Sequence, residues 1–143
     1  MKNSKKLFLI FLSVLIVAFI SCKKDSGGSI TTPTPTFKLS SLVGSWKDAN
    51  NYKFDISDAG KISGISIKNI SGADIQIADW DLNKDKETTK HTETLTDQKS
   101  GNYSYDFLFT FTSGSNCIVT LTEQGDGKTP ENFTLTKEAA TAK

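Results

Sequence analysis

Tyr103-Ser104-Tyr105-Asp106-Phe107-Leu108-Phe109-Thr110-Phe111 decides the fold. Every odd position is aromatic, and the even positions carry Ser104, Asp106, Leu108 and Thr110. A period of two is the side-chain repeat of a β-strand. The five rings therefore share one face, and that face points into a core. Such a stripe is more often plain core than a set of ligand contacts. The following Thr112-Ser113-Gly114 suits a three-residue hairpin loop with glycine in the left-handed position. The returning strand then lays Cys117, Val119 and Leu121 beside the aromatic rings, which buries Cys117.

Outward from this hairpin the same pattern continues in both directions. Runs of β-branched and aromatic residues predict strands over Gly44–Asp48, Asn51–Ile56, Lys61–Asn69, Asp74–Leu82, Thr88–Thr96, Asn102–Phe111, Ser115–Thr122 and Asn132–Lys137. Turn residues separate them: Asp58-Ala59-Gly60, Ser71-Gly72, Ser113-Gly114 and Gly125-Asp126-Gly127. Ser40 is placed to cap one helical turn through Val43. Ile62 is out of step with Ile65 and Ile67 around Gly64, and Ile75 and Ile77 are out of step with Ala78, Trp80 and Leu82. A one-residue bulge explains each. The fold class is all-β, a small antiparallel up-and-down barrel of about eight strands, with a β-sandwich as the alternative. Closure removes exposed edges.

The turn at Asp97–Gly101 carries the functional question. If all five residues are loop, Leu95 faces Tyr103, Glu93 faces Tyr105, His91 faces Phe107 and Thr89 faces Phe109. The one histidine and a carboxylate then point inward among aromatics, where polar groups are costly unless satisfied. That arrangement marks a wet or ligand-filled space with His91, Glu93, Tyr103 and Tyr105 as its polar lining. A four-residue loop turns His91 and Glu93 outward. An exposed edge strand carries no site. An eight-strand barrel holds at most one small ligand, and the bulk of these aromatics predicts a packed interior with a shallow mouth.

The chain's beginning gives an address. Residues 1–21 form a basic start, an uncharged apolar run from Leu7 to Ile20, and a small residue before Cys22. Phe19-Ile20-Ser21-Cys22 resembles the lipobox of a bacterial lipoprotein. The resemblance implies a cleaved signal peptide over residues 1–21 and acyl chains on Cys22. It also implies a cell-envelope location, with the outer membrane indicated by Lys23. Each buried CH₂ contributes about 0.8 kcal/mol, so several acyl chains (palmitate or similar) hold firmly where one holds marginally. Residues 22–36, rich in Gly, Ser, Thr and Pro, read as the lipidated cysteine and a flexible tether. Residues 37–143 are left as one domain.

Leu42-Val43-Gly44-Ser45-Trp46 resembles the Gly-x-Trp signature of lipocalin-like barrels. Tyr52-Lys53-Phe54, Asp58-Ala59-Gly60-Lys61 and the closing Phe133-Thr134-Leu135-Thr136-Lys137 are similar to small lipocalin-like domains of bacterial lipoproteins. The resemblance implies that Gly44 and Trp46 are a structural motif, the indole plugging one end of the barrel. It also implies a basic side chain from the last strand over that ring. All 17 basic residues of the chain are lysines, so Lys137 is the residue for that place.

Net charge falls from +1 to −2 when Lys2, Lys5 and Lys6 leave with the signal. A mildly acidic chain without arginine has no electrostatic draw to nucleic acid. Asp79-Trp80-Asp81-Leu82-Asn83-Lys84-Asp85 spaces oxygens like a calcium loop, but Lys84 and Lys90 stand where the loop needs glycine and glutamate. No nucleophile elbow, phosphate loop or zinc cluster stands in the sequence. The chain reads as a non-enzyme with no catalytic residue, cofactor or metal. The expected function is a membrane-anchored module binding a small apolar or amphipathic molecule. The alternatives are a protein-interaction barrel, such as a cell-wall hydrolase inhibitor or an accessory subunit of an envelope complex, and a packed scaffold without ligand.

Overall fold

The computed structural model describes residues 33–139. The signal segment, Cys22 and most of the tether lie outside the described residues, as do residues 140–143. The chain enters through β1 (Phe37–Lys38) and a 3-10 turn (Leu39–Leu42). It continues into β2 (Gly44–Lys47), β3 (Lys53–Ile56), β4 (Lys61–Ile67), β5 (Ile70–Ser71) and β6 (Ile75–Gln76). A short helix α1 (Trp80–Asn83) and β7 (Glu87–Thr88) follow. The remaining strands are β8 (His91–Ser100), β9 (Tyr103–Ser113), β10 (Asn116–Glu123) and β11 (Glu131–Lys137).

Eight strands form one antiparallel path, β5-β4-β3-β2-β11-β10-β9-β8, with β6 added alongside β4 and a separate β1–β7 pair. Neighbours in the path are neighbours in sequence, except that β11 pairs with β2 and brings the two ends of the domain together. This is a nearly closed up-and-down barrel; the separate β1–β7 pair, two residues on each strand, is too small to be the second layer of a sandwich. The one seam lies between β5 and β8. There a Cβ on Gly72 would come within 2.9 Å of a Leu95 methyl carbon. The Ala73 amide donates to Gln98 Oε1 at 2.7 Å across the same seam.

The core is one cluster that fills the barrel. Phe107, Phe109 and Phe111 are fully buried with Trp46 and Phe54. Trp46 stacks on Phe54 at 5.7 Å and meets Phe111 edge-on at 5.4 Å. Cys117, Val119 and Leu121 lie opposite Phe111, Phe109 and Phe107 as the alternation requires. The predicted bulge at Gly64 is present: the β3–β4 register shifts there, and Gly64 has φ +63.

Several boundaries differ from the sequence expectation, each for a local reason. The turn expected at Ser71-Gly72 sits at Lys68-Asn69, whose φ values of +51 and +64 suit a type I′ hairpin. The predicted strand over Asp74–Leu82 stops at Gln76. Asp79 at φ +49 reverses the chain, and α1 drops the Trp80 ring over Gly60. The indole Nε1 donates to the Asp58 carbonyl at 3.0 Å. The phase shift there is a departure from the sheet and not a bulge. Ser40 does not cap the 3-10 turn; no side chain does. Ser41 Oγ instead donates to the Lys38 carbonyl at 2.6 Å. Gly114 is not in the left-handed region. Glycine is needed because a Cβ would lie 2.5 Å from Ser41 Oγ.

Candidate functional site

The up-and-down order fixes which loops share an end. The β2–β3, β4–β5, β8–β9 and β10–β11 connections gather at one end, the mouth. The 3-10 turn, the β3–β4 turn, α1 and the β9–β10 turn gather at the other. That second end is plugged. Trp46 Nε1 donates to the Leu42 carbonyl at 2.9 Å, which holds the 3-10 turn over the barrel. The Ser40 amide donates to the Lys84 carbonyl at 2.7 Å and ties the 3-10 turn to the end of α1.

Lys137 pairs with Trp46 in the ladder. Its ammonium does not rest on the indole face. It donates to the Ser41 carbonyl at 2.7 Å, and its Cε lies 3.0 Å from where a Gly44 Cβ would be. Gly44, at φ +134, leaves the room this side chain crosses.

The four predicted ligand contacts do not line one space. His91 and Glu93 do face inward, but in a register neither loop length anticipated. β8 runs on to Ser100, and Gly101-Asn102 is a two-residue turn with Gly101 at φ +60. A bulge between Leu95 and Gln98, with Asp97 at φ +58, absorbs the extra residue. His91 therefore faces Phe111, Glu93 faces Phe109, and Leu95 faces Phe107. His91 Nε2 and Glu93 Oε1 are 2.8 Å apart, and the imidazole stacks on Phe111 at 6.2 Å. The pair satisfies itself beside the plugged end. His91 shares a pocket of about 260 Å³ there with Leu39, Asn83 and Thr88.

Tyr105 and Tyr103 lie at the opposite end of the barrel. Tyr103 is 57% exposed on the rim, and Tyr105 packs partly against the core. Tyr105 lines a cleft of about 450 Å³ at the mouth. Its floor is Tyr105, Leu121 and Ile70, and its walls carry Lys68, Asn69, Ser100, Glu123, Lys128 and Glu131. Lys68 Nζ reaches both Glu131 carboxylate oxygens, at 2.8 and 2.9 Å. Lys128 Nζ is 2.7 Å from Glu123 Oε1 and lies 6.0 Å from the Tyr103 ring centre. The hydrogen bonds to Glu131 and Glu123 raise the pKa of Lys68 and Lys128, respectively.

None of these four charged residues was singled out in the sequence. The only signal for them is topological: alternate hairpin tips of an up-and-down barrel meet, and the β10–β11 loop is the longest of those at the mouth. Among the described residues no three His, Cys, Asp or Glu side chains gather to hold a metal, and no helix is long and apolar enough to cross a membrane. No family model, curated protein or solved structure matches this chain.

Proposed function

We propose that this chain is a lipid-anchored binding module of a bacterial cell envelope, held by acyl chains on Cys22. It reads a small amphipathic molecule at the mouth of its barrel. The observation that carries the proposal is the division of space. The interior is occupied by Phe107, Phe109, Phe111, Trp46 and Phe54, whereas the mouth keeps a cleft of about 450 Å³. That size falls within the usual range for small-molecule sites. An apolar floor with polar walls is the lining such a molecule needs. The inward His91–Glu93 pair takes no part in binding and serves the packing of β8. The test is native mass spectrometry of the protein purified from its own membrane. The expected spectrum shows an acyl mass on Cys22 and a retained small molecule that Tyr105→Glu releases. An unmodified Cys22, or a mass that Tyr105→Glu leaves in place, counts against it.

A second reading, a protein-interaction barrel, is favoured by the outer face of β8–β11. The registers align Thr92, Thr110, Ile118 and Thr134 in one row and Thr94, Leu108, Thr120 and Asn132 in the next. No charge falls among these eight outward positions, although 23% of the chain is charged. Depletion of charge is the compositional mark of an interface centre. Cross-linking in the native membrane distinguishes the two readings: a partner lost on Leu108→Lys supports the second.

A further inference from the structure

The lining of the mouth cleft is charge-balanced, with Lys68 and Lys128 against Glu123 and Glu131. A purely anionic ligand meets as many carboxylates as ammonium groups there, and a purely cationic one the reverse. Each lysine is already paired. Lys68 on the β4–β5 turn bonds Glu131 at the head of β11, and Lys128 in the β10–β11 loop bonds Glu123 at the end of β10. The side chains of the Lys68–Glu131 pair are about half exposed, at 42% and 54%. Pairs of that exposure contribute little net stability and exchange partners readily. A neutral ligand leaves them as they are and gains only the apolar floor. A ligand carrying both charges gains more. Its carboxylate takes the place of a glutamate at one lysine, its ammonium takes the place of a lysine at one glutamate, and the bonds formed are charge-assisted. Between the two walls lie Tyr105, Leu121 and Ile70, an apolar surface for a side group.

We infer that the mouth cleft selects a small zwitterion bearing an apolar group, of the size and chemistry of an unblocked dipeptide. The inference rests on the reading of the mouth as a ligand site. The free carboxylate meets Lys68 or Lys128, the free ammonium meets Glu123 or Glu131, and the side group covers Tyr105 and Leu121.

The test is calorimetric titration of the full-length chain with three probes: L-alanyl-L-phenylalanine, the same dipeptide acetylated and amidated, and octyl glucoside. The free dipeptide is expected to bind, and blocking its termini to weaken binding at least about tenfold, the loss of one charge-assisted bond. Lys128→Gln and Glu131→Gln, both at the surface, are expected to reduce affinity for the free dipeptide and leave the blocked one unchanged. Equal affinity for the free and blocked peptides overturns the inference, as does no binding of the free peptide. Octyl glucoside bound in a Tyr105-dependent way, with the dipeptide excluded, overturns the zwitterion and leaves the mouth as a ligand site. Failure of all three probes overturns both.

Discussion

Cys117 shows how burial governs the chemistry of a single side chain. It lies fully buried opposite Phe111 and Leu135. Burial pushes its thiol from 9.0 up to about 12, against a backbone hydrogen bond at Thr110 that lowers it. The thiolate is the reactive form, so a maleimide is expected to spare Cys117 in the folded chain at pH 8 and to label it once denaturant is added. The same shift has a stability consequence. Above pH 9 the unfolded chain loses this proton and the folded chain keeps it. Stability from this group therefore falls by about 1.4 kcal/mol per pH unit until the folded thiol also ionises near 12. Urea melts of the native chain and Cys117→Ala between pH 8 and 10.5 check it: the alkaline slope is expected to be shallower in the variant. Gly60 gives a steric counterpart. At φ +73 beneath the Trp80 ring it has no room for a Cβ. Gly60→Ala is expected to cost roughly 1–3 kcal/mol and to expose Trp80 to fluorescence quenchers. At this scale much was legible. The alternation placed Cys117 and the phenylalanines. The role of Gly60 was not, because its neighbour Trp80 arrives through a turn with no glycine or proline to announce it.

Among the elements, β4 and β8 both carry bulges, and only one could be read. In β4 the extra residue is beside Gly64, which marks the left-handed position openly. In β8 that position is Asp97, a residue that also suits an ordinary loop. The polar run from Asp97 to Gly101 therefore left three readings open, a five-residue loop, a four-residue loop and an exposed edge, and the structure keeps the inward direction of the first in a register that none of them gives. The structural reason is compensation: a two-residue turn and a one-residue bulge preserve the inward phase that a longer loop also gives. Gln124 Nε2 donates to both Asp97 Oδ1 and Asp106 Oδ1, at 2.9 and 2.8 Å, and ties the bulge to the mouth. Strand β8 is also the barrel's weak side, because it has a ladder only with β9 and meets β5 across the seam. Amide hydrogen exchange is expected to be slowest in the middle of β9 and β10 and faster in β5, β6 and the seam-facing amides of β8. Uniform protection around the barrel contradicts an open seam.

The whole molecule divides its labour between two ends. One is sealed by Trp46, the 3-10 turn and the Lys137–Ser41 bond; the other keeps the charge-balanced cleft. Trp46→Ala is expected to cost about 3–5 kcal/mol, read as a lowered melting temperature, because it empties the largest fully buried side chain from the sealed end. The proposed anchor, Cys22, lies outside the described residues. Radiolabelled palmitate is expected in the expressed chain and absent from Cys22→Ala. The all-β class and the sequential strand order were legible from period-two patterning and turn spacing. The mouth was not, because Lys68 lies 63 positions from Glu131 and only closure brings it to Glu123, Lys128 and Glu131 of the β10–β11 hairpin. The most direct test of a filled barrel read at its mouth is a methyl-NMR titration of the labelled full-length chain with L-alanyl-L-phenylalanine. Saturable shifts at Ile70 and Leu121, with Val119 and Leu135 unmoved, are the predicted result. Shifts centred on Val119 and Leu135, or none at Ile70 and Leu121, contradict it.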